Sequence, residues 1–281
     1  MPKPWYRPAP LTATLLAAGI AASMVCAAEP PATVSVFAAG SVRGVVADLS
    51  AAAGPALNIN VEATFGGSGS LRERIENGAR PDILLSADLG SPHKLAAQGL
   101  TVVPETAFAR NRICVVSRRD SGLTELNLVD RLLSSGVRVK TSTPVADPGG
   151  DYAWAIFDRI NHLRPGSGTI LKQKAQSLMN LVATPSSASQ SPAAALFESK
   201  LIDLSITYCS ASASLVRDTP WLASLPVPAQ LDPHPVYGLA LLSDSTAAMK
   251  LALFLLSEKG QEIVARNGLV PLLDIVATER Q

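Results

Sequence analysis

Residues 33–78 read TVSVFAAGSVRGVVADLSAAAGPALNINVEATFGGSGSLRERIENG, and the order of their apolar runs decides the fold. The β-rich run at 33–37 predicts a strand. Val45, Val46 and Leu49 then recur at helical spacing over 42–53, and Gly54-Pro55 stops that helix. Residues 57–65 alternate as a second strand, after which Leu71 and Ile75 mark a helix over 70–77 that Gly78 ends. Each strand leads to its helix through a small hydroxyl-bearing loop. These are Phe37-Ala38-Ala39-Gly40-Ser41 and Phe65-Gly66-Gly67-Ser68-Gly69-Ser70-Leu71. A helix start carries unpaired N–H groups and the positive end of the helix dipole, which together attract an anion. Two such loops, each at the carboxyl end of a strand in an open α/β sheet, predict a site that holds a small oxyanion without a formal positive charge.

The alternation continues. A buried-type strand at 83–85 and a helix opened by Ser91-Pro92, an N-cap followed by proline, extend a βαβαβα order. That order predicts a largely parallel sheet with helices on both faces. A strand at 113–117 leaves this lobe. Helices near 126–133, 151–163, 170–181 and 192–199, with strands at 137–141 and 203–208, make a second unit. The proline-rich residues 220–235 read as a connection, and 236–242 as the return strand. Helices near 246–257 and 260–267 follow and are expected to pack back on the first lobe. The predicted fold class is α/β, with two doubly wound lobes joined by a two-crossing hinge. Residues 29–114 plus 238–281 are assigned to lobe 1 and 115–237 to lobe 2, with the ligand between them.

Residues 1–28 read as a cleaved secretory signal. Lys3 and Arg7 precede an apolar run at 11–25, and the small Ala27 and Ala28 follow. Bulky Val25 before Cys26 argues against a lipid anchor, so release into the periplasm is expected. Losing this segment removes Lys3 and Arg7 and no acidic residue, which takes the formal charge from +1 to −1. A chain so near neutrality lacks the electrostatic footprint of a nucleic-acid or anionic-membrane binder. Cys114 and Cys209 both lie in apolar strand-like runs and are expected to be buried thiols rather than a disulfide. His93, His162 and His234 are scattered without metal-ligand spacing.

A lone serine at a helix start is explained as an N-cap. Ser41 and Ser68 are instead flanked by glycines that let the backbone approach a ligand. Ser70 is expected to cap the second helix, leaving Ser68 to face the ligand. A third loop of the same type is Ala146-Asp147-Pro148-Gly149-Gly150-Asp151-Tyr152, with Asp151 expected to cap the next helix. Tyr208 closes a strand, where a phenol either packs or donates one hydrogen bond to an anion.

Taken together, VFAAGS at 36–41, FGGSGSLRERIENGARPDILLSAD at 65–88, DPGGDYA at 147–153, the strand end at 206–210 and GQEIVARNGLVP at 260–271 resemble the periplasmic molybdate-binding proteins of ABC-type importers. The resemblance runs over nearly all of the chain after the signal. It implies a type II periplasmic binding fold that closes on molybdate or tungstate, is monomeric and non-enzymatic, needs no cofactor and delivers its ligand to a membrane permease. By the same resemblance Ser41 and Ser68 donate through hydroxyl and backbone N–H, Gly149 through its N–H and Tyr208 through its phenol. A further backbone donor falls on Gln190, in a stretch at 188–192 that departs from the family pattern. Arg43, two residues past Ser41, is expected to be solvated.

Two other classes compete. A serine hydrolase needs a base beside Ser41 or Ser68, and Gly66-Gly67-Ser68-Gly69-Ser70 misses the G-x-S-x-G elbow at its last position. The sharper rival is the same fold with another ligand, such as sulfate, phosphate or a small organic acid.

Overall fold

The computed structural model describes Met1, residues 30–185 and residues 191–272. The expected signal segment falls almost wholly on residues 2–29, outside the described residues. The chain forms β1 (Ala32–Ala39), α1 (Arg43–Leu57), β2 (Ile59–Gly66), α2 (Ser68–Glu76), β3 (Ile83–Ser86), α3 (Gly90–Ala97) and β4 (Thr106–Arg110). It continues with β5 (Ile113–Arg118), α4 (Leu128–Leu133), β6 (Val139–Lys140), α5 (Pro148–Leu163), α6 (Ser167–Gln176), α7 (Pro192–Glu198), β7 (Leu204–Tyr208), α8 (Cys209–Asp218) and β8 (Leu222–Pro226). It ends with β9 (Val236–Leu241), α9 (Thr246–Leu256) and α10 (Glu258–Arg266).

The strands make two sheets, ordered β2-β1-β3-β9-β4 and β6-β7-β5-β8, which gives the two-lobed α/β architecture. β1 pairs parallel with β2 and β3, as strands joined by crossover helices must. Its Val34, Val36 and Ala38 are buried, and all four residues of the central β3 are buried, because helices cover both faces. The expected parallel run holds for β1, β2 and β3, and the strands added later make both sheets mixed. β9 lies antiparallel between β3 and β4, and β5 is antiparallel to both β7 and β8. β4 leads out of the first sheet and β9 leads back into it, so these neighbours run in opposite directions. β5 and β8 do the same in the second sheet.

Two strands escaped the sequence pattern. β8 lies inside the proline-rich stretch read as a connection, and β4 follows α3 with only five residues. Both are edge strands, with Pro226 at the very end of β8, where a missing N–H costs no ladder bond. Sheet pairing, not local periodicity, forms them.

The chain passes between the sheets at residues 111–112 and 227–235. Asn111 N–H donates to Pro235 O at 2.9 Å, which ties the two crossings together. Aromatic rings line this junction edge to face. Phe108 meets Tyr237 at 6.0 Å between centroids, Tyr237 meets Tyr208 at 5.6 Å, and Tyr208 meets Tyr152 at 6.2 Å. Pairs of this kind add about 0.5–1.5 kcal/mol each beyond the area they bury. The last two helices return to the first sheet, where the buried amide of Gln261 donates to Phe108 O and Leu255 O.

Cys114 and Cys209 are joined in a disulfide, which overturns the reading of both as free thiols. β5 and β7 run antiparallel with Cys114 opposite Thr207, so the chain returns Cys209, at the start of α8, to within 4.8 Å of Cys114. The residues are 95 apart in sequence, so only the sheet register brings them together. Among the described residues no helix is long and apolar enough to cross a membrane.

Candidate functional site

The loops after β1, β2 and β7 and the start of α5 meet around a cavity of about 230 Å³. Ser41, Gly66, Gly67 and Ala87 line it from one side and Ser142, Asp147, Gly149, Thr207 and Tyr208 from the other. Asp147 is the one ionisable carboxylate among the lining residues, which include no Lys, Arg or His. Arg43 lies exposed with its guanidinium 3.9 Å from the centre of the Phe65 ring, stacked rather than inserted.

Ser41 sits in a short 3₁₀ turn between β1 and α1. Its Oγ accepts from the Tyr237 hydroxyl at 2.9 Å, which leaves the serine proton to the cavity. Ser68 is the first residue of α2 and fully buried, and its Oγ accepts from Ala87 N–H at 2.9 Å. It stands behind the cavity wall, whose surface is formed by its neighbours Gly67 and Ala87. The expected capping role of Ser70 is corrected. Gly67 occupies the N-cap with no side-chain cap bond, and Ser70 N–H donates to Ala146 O at 3.1 Å.

At the third loop the cap of α5 is Asp147, not Asp151. Asp147 Oδ1 accepts from Gly149 N–H at 2.9 Å, with Pro148 at the first helical position. Gly149 lines the cavity, and its N–H is directed at this carboxylate. Asp151 instead accepts the Val145 N–H, at 3.1 and 3.2 Å to its two oxygens. That clamp holds Val145 at φ 69°, a left-handed conformation costly for a β-branched residue. The resulting turn projects the carbonyls of Val145 and Ala146 toward α2.

These carbonyls explain the glycines of the second loop. A Cβ on Gly67 would fall 2.3 Å from Ala146 O, and one on Gly69 would fall 1.7 Å from Val145 O. Tyr152 adds a second bond across the cleft, its hydroxyl donating to Ala87 O at 3.2 Å. The two sides are therefore held closed by backbone contacts that side chains at 67 and 69 would prevent.

Tyr208 ends β7 with 6% of its surface exposed, and its buried hydroxyl has no hydrogen-bond partner among the described residues. Burial first, and then the neighbouring Tyr237 and Asp147, push this phenol well above its ordinary value of 10.0, so it is a neutral donor. Gln190 lies in 186–190, outside the described residues. The sequence pattern did not single out Tyr237 or Asn111, because one lies within the return strand and the other in a two-residue crossing.

Among the described residues no base is hydrogen-bonded to either serine oxygen: Ser41 faces a phenol and Ser68 a backbone amide. The cavity thus presents the Ser41 and Tyr208 hydroxyls as donors, with the Asp147 carboxylate also among its lining residues.

A protein of Pasteurella multocida (strain Pm70), described only as uncharacterized protein PM1146, is 33% identical over 244 residues, covering 84% of this chain and 98% of its own. The periplasmic molybdate-binding protein of Azotobacter vinelandii superimposes with a TM-score of 0.65 at 19% identity, covering 84% of this chain and 98% of that one. The sulfate-binding protein SubI of Mycobacterium tuberculosis H37Rv gives 0.67 at 17% identity, covering 86% and 87%. At these identities the two structures establish the shared two-lobed fold. The profile of the bacterial extracellular solute-binding proteins matches residues 34–270, so the chain belongs to that family.

Proposed function

We propose that this solute-binding protein captures a small tetrahedral oxyanion, molybdate or tungstate, in the cleft and delivers it to the membrane permease of an ABC importer. It acts as a periplasmic monomer without catalysis and without a cofactor. The observation that carries this reading is the Tyr208 hydroxyl, buried and without a partner among the described residues at the wall of a cavity that Ser41 also lines. A buried donor without an acceptor costs about 1–3 kcal/mol, and an oxyanion between the lobes removes that cost. The resemblance also names Ser68, Gly149 and Gln190 as ligand contacts. Here Ser68 stands behind the wall and the Gly149 N–H is bonded to Asp147. Gln190 lies outside the described residues, so Ser41 and Tyr208 carry the reading. Neutral donors suit a desolvated anion, and selectivity then rests on cavity size and donor count. Contact with both lobes at once favours the closed state. The lack of a base at either serine weighs against a hydrolase.

Asp147 favours a second reading. A carboxylate at the wall repels a fully deprotonated anion and accepts from one that keeps a proton, such as hydrogenphosphate.

Thermal unfolding with molybdate, tungstate, sulfate and phosphate in turn tests both. A ligand at about 100 times its dissociation constant stabilises by about 2.7 kcal/mol, a rise of several degrees in Tm. A shift with molybdate and tungstate alone supports the first reading. A shift with phosphate that Asp147→Asn abolishes supports the second, and no shift with any of the four overturns both.

A further inference from the structure

The hydrogen bonds that reach Ser41 begin at a backbone amide. Arg112 N–H donates to Asn111 Oδ1 at 2.9 Å, which fixes the side-chain amide with its NH₂ group on the far side. That group donates to Ser210 Oγ at 2.8 Å and to the Tyr237 hydroxyl at 3.0 Å. A phenol that accepts there still has one proton to give, and it goes to Ser41 Oγ at 2.9 Å. Ser41 in turn keeps its own proton for the cavity it lines. Asn111 is 3% exposed and Tyr237 fully buried, so water does not replace either partner.

The position of Asn111 adds to this. It stands in the first crossing between the sheets, and its N–H is bonded to Pro235 at the end of the second. Its amide reaches α8 through Ser210 and β9 through Tyr237. Asn111 therefore joins both crossings through its backbone and, through its side chain, reaches an element of each lobe and, by way of one phenol, the cavity wall.

We propose that Asn111 and Tyr237 are positioning residues that orient and polarise the Ser41 hydroxyl as a donor to the bound oxyanion, from the hinge. The inference rests on the reading of Ser41 as a ligand donor. A hydroxyl that already accepts one hydrogen bond donates the next more strongly, and here the direction of each bond is set by the one before it. The relay thus defines which groups may bind opposite Ser41: acceptors are favoured.

The test is a double-mutant cycle on the mature protein, with molybdate titrated calorimetrically into wild type, Tyr237→Phe, Ser41→Ala and the double variant. Tyr237→Phe is expected to weaken binding about tenfold when Ser41 is present and less than about twofold when it is already alanine. An equal loss in both backgrounds would mean that Tyr237 acts only through packing, and overturns the proposal. Asn111→Asp keeps the shape but turns the donor into an acceptor, so it should match Tyr237→Phe; wild-type affinity in that variant also overturns it. The ¹³C resonance of the Tyr237 ζ-carbon supplies a measurement without ligand. It should move in Ser41→Ala and in Asn111→Asp, and indifference to both substitutions refutes the relay. If wild type does not bind molybdate, the functional reading fails by itself, and this resonance still decides the relay.

Discussion

The backbone N–H of Ser70 donates to the carbonyl of Ala146 at 3.1 Å, joining the first turn of α2 to the loop before α5 across the cleft. The contact needs bare backbone on the α2 side and a left-handed Val145 on the other. It makes the second glycine-rich loop part of the closure and not only of the ligand wall.

Gly69→Ala is therefore expected to hold the cleft apart. Its Cβ would fall 1.7 Å from Val145 O, a backbone atom that cannot swing away. Overpacking of about 1–3 kcal/mol in the closed state corresponds to a loss of about 5–150-fold in anion affinity. Calorimetric titration checks it; unchanged affinity would mean that the lobes close along another path.

Tyr208→Phe should separate stability from function. It deletes a buried hydroxyl that has no partner among the described residues, so the free protein should keep its stability or gain up to about 1 kcal/mol. Binding should weaken about 10–100-fold, the value of one hydrogen bond to a charged group. Urea unfolding and titration of the same variant measure both. A clear loss of ligand-free stability would contradict the assignment of this hydroxyl.

The disulfide closes a loop of 95 residues, the separation of Cys114 and Cys209. Its loss should lower stability by about 2–5 kcal/mol. Urea unfolding with and without a reductant measures this directly. Because Cys209 precedes Ser210, the hinge partner of Asn111, reduction should also loosen the amide-exchange protection of residues 111–114.

Alkaline pH should weaken the fold through its tyrosines. Burial is the largest cause raising the phenols of Tyr152, Tyr208 and Tyr237 above their ordinary value of 10.0. Above about pH 10 the unfolded chain releases these protons while the folded chain holds them. The stability they contribute is thus complete below about pH 10 and falls as pH rises toward their folded values, by about 1.4 kcal/mol per pH unit for each phenol so displaced. Unfolding curves taken across this range should show that decline, and Tyr208→Phe should reduce its slope.

The sequence by itself determined the alternating α/β order, the two glycine- and serine-bearing loops and the return of the chain to its first lobe. Those features are local: apolar periodicity fixes a helix or strand, although α1 runs through Gly54-Pro55, read as its stop, and ends at Leu57. Resemblance in the same motifs supplied the solute-binding family. Tertiary structure alone decided the rest. Edge strands β4 and β8 exist because partners pair with them, and the disulfide exists because β5 and β7 align in antiparallel register. Asp147 rather than Asp151 caps α5 because Asp151 is drawn to the Val145 turn. Asn111, Tyr237 and Ser41, separated by up to 196 residues, become one chain of hydrogen bonds only when the two crossings lie side by side. Contacts between residues distant along the chain leave no periodic trace in it, so the direction of every donor in the cleft is a property of the fold.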